Sequence, residues 1–139
     1  MNYKYSICHF DKPNIEYLPE TFDRYRLVEI IKNHKWQELL LSMSNLKNEE
    51  IYFNPSLDFT DLSDNRSLCL TASLENGELE FSLWYNRPVK SRSFFGLLVE
   101  RTKMKVIDKW GFSLDKALEC FELFLDKNYR KLELKMAKN

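Results

Sequence analysis

Residues 67–85 read SLCLTASLENGELEFSLWY, two alternating runs on either side of Asn76-Gly77. Both central residues of a type I′ turn need positive φ, which Asn and Gly tolerate best, so the dipeptide predicts a two-residue hairpin loop. Such a loop sets the register. Glu75 faces Glu78, Leu74 faces Leu79, Ala72 faces Phe81, Leu70 faces Leu83 and Leu68 faces Tyr85. The large apolar pairs therefore share one face, while Ser73 with Glu80, Thr71 with Ser82 and Cys69 with Trp84 share the other. A slip of one residue would scatter both sets. Turn chemistry and alternation are independent signals, and both give one core face and one mixed face, with Trp84 the large apolar group on the latter.

Upstream, Tyr3, Tyr5 and Ile7 alternate with Lys4, Ser6 and Cys8, the pattern of a short strand. Asp11 to Pro19, with Pro13 and Pro19, reads as a connector. A helical pattern starts at Thr21 or Asp23, with Leu27, Val28, Ile30 and Ile31 on its apolar side. Asn33-His34 interrupts it, and Trp36, Leu39, Leu40 and Met43 resume it at i, i+3, i+4 and i+7, so the segment is one bent helix or two. Trp36 on this stripe reads as a core residue.

The stretch 48–65 contains Glu49, Glu50, Asp58, Asp61 and Asp64 and no Lys or Arg. Ile51 and Phe53 suggest a short strand before Pro55, and Leu57 and Phe59 suggest an edge strand. The acids do not follow the alternate-position ligand spacing of an EF-hand loop, and its glycine is missing. They read as a solvated loop or as a docking surface for a basic partner. After the hairpin, Arg87 to Val99 reads as a long connector carrying Arg87, Lys90, Arg92, Phe94 and Phe95, with the FFGLL run either tucked into the core or exposed as an apolar patch. Residues 101–110 form a last strand, with Thr102, Met104 and Val106 on one side and Arg101, Lys103, Lys105 and Lys109 on the other. From Arg87 to Lys109 seven bases stand against two acids. The basic row is expected beside Glu80 and near Trp84, where it offers cross-strand compensation or a surface for an acidic partner or a phosphate backbone.

Gly111-Phe112-Ser113 ends the strand and opens a closing helix. Ser113 is a natural N-cap, and Asp115 suits the positive end of the helix dipole. Leu114, Ala117, Leu118, Phe121, Phe124 and Leu125 keep to one broad side, expected to pack on the hairpin's apolar face. Asn128 starts a further turn or helix with Tyr129, Leu132 and Met136 inward. The expectation is an α+β fold: an antiparallel sheet of four to five strands with N-terminal helices and a C-terminal helix on one face, in a single domain over 1–139.

A chain of 139 residues with 44% hydrophobic and 14% aromatic content is long enough to bury a core without staples, and this composition argues against disorder. The formal net charge is zero, so no whole-molecule field draws in nucleic acid, and no nucleic-acid-binding motif is present. Cys8, Cys69 and Cys120 are odd in number and far apart, and His9 and His34 are not at ligand spacing. The cysteines read as reduced thiols, with no metal or cofactor expected. The first residues, MNYKYSICHFDKP, carry no apolar signal, and no run approaches the roughly 18 apolar residues of a membrane span. A cytoplasmic protein is expected. No G-x-S-x-G or other catalytic motif occurs; Cys69, on the mixed face of the hairpin, is the one candidate nucleophile.

The hairpin, the basic strand and the run FSLDKALECFELFLDKNYRKLE over 112–133 resemble, in arrangement, the small α+β immunity proteins that accompany bacterial polymorphic and contact-dependent toxins. The resemblance implies a protein that blocks a cognate toxin domain by binding it. On the residues themselves the partner meets either the acidic set Glu49, Glu50, Asp58, Asp61 and Asp64 or the basic and aromatic set Trp84, Arg87, Lys90, Arg92, Phe94, Phe95, Arg101, Lys103 and Lys105, with Tyr85 as a further anchor. The alternative is a small regulator that binds nucleic acid or a small ligand through the basic strand face.

Overall fold

The hairpin forms in the register its turn dictates. Strands β4 (Ser67–Glu75) and β5 (Glu78–Arg92) pair Glu75 with Glu78, Ala72 with Phe81 and Leu68 with Tyr85. Asn76 and Gly77 take the positive φ values that the turn needs, 53° and 80°. The computed structural model describes residues 3–92 and 100–137, with side chains at all of these except 91, 92 and 100. Its other elements are β1 (Tyr3–Cys8), β2 (Glu16–Tyr17), α1 (Arg24–Asn33), α2 (Trp36–Met43), β3 (Ser56–Asp61), β6 (Glu100–Phe112), α3 (Leu114–Leu125) and α4 (Tyr129–Met136).

The fold is α+β, with six antiparallel strands in the order β2-β1-β3-β4-β5-β6. Four departures from the sequence reading have local causes. The two residues of β2 pair with Ser6 and Ile7 inside what reads as a connector, adding a strand. β3 is interior rather than an edge, because β1 pairs with its free side from Tyr3–Asp61 to Cys8–Ser56. Ile51 and Phe53 form no strand; a 3-10 turn over Asn48–Glu50 leads into irregular chain up to Pro55. Arg87–Arg92 is not connector but the continuation of β5, paired with β6 from Arg87–Lys105 to Arg92–Glu100. Pro88 is tolerated there because it lies past Asn86, the last β5 position paired to β4, so its missing N–H leaves no β4 acceptor unmet. Phe94 and Phe95, with the FFGLL run, lie outside the described residues.

The helical region is two helices. Asp23 caps α1 by accepting from the Arg26 N–H, and the chain breaks at His34 before α2 begins at Trp36. Ser113 caps α3 by accepting from the Lys116 N–H, and Asn128 caps α4 from Lys131. All four helices lie on the same face of the sheet. Trp36 of α2 stands edge-on to Phe81, its indole N–H bonded to the Ile31 carbonyl at 3.0 Å, while Phe121 and Phe124 of α3 meet Phe59, Tyr3 and Tyr85. Leu132 and Met136 of α4 join the same cluster, and Arg24 of α1 ties to Asp126 beyond α3 at 2.7 Å. Burying each large apolar side chain contributes about 1.5–3 kcal/mol, so this one layer carries most of the folding energy. No helix among the described residues is long and apolar enough to cross a membrane.

Candidate functional site

Because the helices take one face, the other face of the sheet is left without a helix among the described residues. Strand alternation decides what it shows. From β1 and β3 come Lys4, Ser6, Cys8, Ser56, Asp58 and Thr60. From the hairpin come Cys69, Thr71, Ser73, Glu75, Glu78, Glu80, Ser82 and Trp84, followed by Asn86, Pro88 and Lys90. β6 adds Thr102, Met104, Val106, Asp108 and Trp110.

A β-bulge follows the last of these. The pairing shifts between Phe81–Phe112 and Leu83–Lys109, so β6 places two residues opposite Ser82. Gly111 sits in the bulge with φ +85°, a conformation that glycine adopts without strain. The extra residue reverses the alternation: Phe112 turns in to the core at 8% exposure, while Trp110 points outward at 70%. Trp84 at 38%, Met104 at 42% and Val106 at 54% extend this into an apolar stripe on the uncovered face. The sequence reading included Trp84 but missed Trp110; the signal was the alternation itself, since Trp110 keeps the parity of Met104 and Val106.

The two tryptophans, with Glu75, Glu80, Thr71 and Ser73, line a cavity of about 520 Å³. Both indole N–H groups are directed along the sheet, Trp84 to the Ser82 hydroxyl and Trp110 to Asp108, each at 3.2 Å. A second cavity of about 460 Å³ lies over β1 and β3, with Asp58 and Cys69 on its floor and Ile15, Tyr17 and Pro19 at its rim. Burial pushes the Asp58 carboxyl up to about 6, and its Oδ1 is sealed from solvent without a hydrogen-bond partner. Burial, reinforced by the Asp58 charge, pushes the Cys69 thiol up to about 12, so Cys69 is held as the neutral thiol rather than the nucleophilic thiolate. Cys8 and Cys69 are half-buried and Cys120 is buried, all three free thiols.

The acidic set does not form one patch. Glu49 and Glu50 lie exposed in the 3-10 turn. Asp61 is 4% exposed on the helix-bearing face, accepts from the backbone N–H and hydroxyl of Ser63, and pairs with Lys127 at 3.6 Å. Burial alone would raise its carboxyl, but those hydrogen bonds and the lysine hold it below its ordinary value. Asp64 accepts from the Arg66 backbone and guanidinium, while Arg66 donates to Tyr85 at 2.7 Å and lies over the Tyr129 ring. Of the five acids, only Asp58 faces the uncovered side of the sheet. Tyr85 is fully buried and is not an anchor.

The basic row also lies elsewhere than expected. Register places Lys103 opposite Val89, Lys105 opposite Arg87 and Lys109 opposite Leu83, on the helix-bearing face. It is therefore on the other side of the sheet from both Glu80 and Trp84, and the pairing with Glu80 does not occur. Arg87 instead pairs with Glu133 of α4 and donates to the Lys105 carbonyl, and Lys109 donates to the Lys135 carbonyl in the last turn of α4. Lys103, Lys105 and Arg101 are exposed; Lys90 lies opposite Thr102 on the uncovered face, and Arg92 pairs with Glu100 through the backbone. On the uncovered face of the strands, Asp58, Glu75, Glu78, Glu80 and Asp108 stand against Lys4 and Lys90, five acids less two bases giving −3 among the described side chains. No family model, curated protein or solved structure matches the chain.

Proposed function

We propose that the chain is a protein-binding module that docks a basic partner on the uncovered face of its sheet, acting in the cytoplasm as an immunity protein that neutralises a cognate bacterial toxin by direct binding. The observation that supports docking is the exposed stripe of Trp84, Met104, Val106 and Trp110 set among Glu75, Glu80 and Asp108, on a face that carries no helix among the described residues. Exposed aromatic residues framed by charge of one sign are the composition of a binding hot spot: the rings supply affinity on desolvation, and the carboxylates select and steer a cationic surface. The immunity role rests on the resemblance in arrangement described above. The raised Cys69 thiol weighs against a cysteine-nucleophile enzyme.

The test is a pull-down from the chain's own source cells with the tagged protein and its Trp84→Ala/Trp110→Ala variant, in low and moderate salt. The wild type is expected to retain one stoichiometric basic protein that is toxic when expressed alone, and the variant, folded by circular dichroism, to lose it. Equal retention by the variant, or capture of nucleic acid alone, would remove this reading.

A further inference from the structure

The cavity over β1 and β3 is a built site rather than a shallow dent. Its floor is Asp58, half-buried in the middle of the sheet between Ser6 on β1 and Cys69 on β4. Its walls are hydroxyls, Ser6 and Thr60, and its rim is the apolar side of the 15–19 segment, where Tyr17 is 74% exposed and Ile15 37%. An ionised carboxylate in such a place needs a counter-charge or hydrogen-bond donors. Among the described residues Oδ1 lacks a partner, and burial is the one cause of the raised titration. The titratable groups around it are Lys4 and Cys8 on β1, Tyr17 on β2 and Cys69 on β4. The two thiols are themselves raised and neutral, and Lys4 is exposed at the mouth.

We infer that this cavity receives a lysine or arginine side chain of the docked basic partner, with its methylene stem between Tyr17 and Ile15 and its cationic head on Asp58. This rests on the docking reading and names a contact on the β1–β3 side of that face. An amphipathic cation suits the site because a long aliphatic stem matches the apolar rim and a charged head matches the floor. A cation also lies favourably against the exposed Tyr17 ring. At this end of the uncovered face the charged groups are Asp58 on the floor and Lys4, exposed at the mouth, so Asp58 supplies the negative charge there.

The inference is testable without the partner. The full chain is titrated at pH 7.5 with n-butylammonium, with n-butylguanidinium and, as the neutral control, with n-butanol, followed by NMR of backbone amides and of the Asp58 carboxyl carbon. The two cations are expected to shift the Ser6, Tyr17 and Cys69 signals saturably at millimolar concentration, and to lower the pH at which Asp58 titrates. Asp58→Asn is expected to weaken that binding by roughly tenfold or more, because a hydrogen bond to a charged group is lost. Butanol binding as well as butylammonium, or an undiminished response in Asp58→Asn, would overturn the site. Micromolar binding of free butylammonium would overturn the side-chain assignment in favour of a small amine ligand. The docking face itself is judged separately, by partner retention in the tryptophan variant, so failure of the cation site and failure of docking give different results.

Discussion

Asp58 titrates against the interest of the fold. Its carboxyl, near 3.9 in an unfolded chain, is pushed up to about 6 by burial. Between those values the folded state holds the extra proton, so the neutral acid is tolerated below about pH 4, and stability is lost as pH rises through 6. Asp58→Asn is therefore expected to stabilise the protein by about 1–2 kcal/mol at pH 7.5, less than the roughly 3 kcal/mol of a two-unit shift because the residue keeps some solvent contact. At pH 4 the gain should vanish. Urea unfolding at the two pH values checks this, and a gain that does not change with pH would refute it. A substitution that stabilises the fold while weakening binding is the signature of a side chain kept for a ligand. The acidity of the 48–65 stretch was plain in the sequence, but the separate fates of its members were not. Asp58 is buried because β1 and β4 flank it, Asp61 is held by Lys127 from beyond α3, and Asp64 is held by Arg66; the first two depend on chain far away in sequence.

At the scale of elements, the β5–β6 pair shows what local pattern reveals and where it stops. The Asn76-Gly77 turn and the flanking alternation gave every pairing of β4 with β5, because a two-residue loop leaves the register no freedom. The partner strand β6 has no such short link, and its register turns on the bulge at Gly111. An alanine there must adopt φ near +85°, and although no heavy atom lies within 4 Å of the added Cβ, the backbone conformation itself is strained. Gly111→Ala is expected to cost about 1 kcal/mol, lowering the urea midpoint with an unchanged slope. An unaltered midpoint would mean that the bulge does not need a left-handed residue. The same element is a long edge strand, and Arg101, Lys103, Lys105 and Lys109 place charge along it, which disfavours edge-to-edge pairing.

Over the whole molecule, the sheet separates charge by face, although the chain is neutral in sum. The acids of the hairpin accompany the tryptophans on the uncovered side, and the bases of β6 lie on the helix-bearing side with Arg87 and Glu133. A basic partner should therefore be steered by the hairpin acids. Reversing Glu75, Glu78 and Glu80 to Lys is expected to slow association by about tenfold at low salt, with dissociation little changed and the effect fading as salt screens it. Reversing Lys103 and Lys105 to Glu should not slow it. Stopped-flow association of the purified pair distinguishes the two, and a slowing by the lysine variant alone would place the dock on the opposite face. Reversing Asp61 or Asp64 would test nothing of the kind, since each change would set a cation against Lys127 or Arg66.

By itself the sequence determined the hairpin and its register, the strand at Tyr3–Cys8, the helix cap at Ser113, and the apolar sides that meet in the core. Each of these depends on residues within a turn or two of one another, through φ preference, period and capping. Only the tertiary structure decided that β3 is interior and that the basic row and Trp84 lie back to back. Those facts depend on which strands become neighbours and on the parity of one bulge. A face of a sheet is defined by what packs on the other side of it, and no local pattern carries that information.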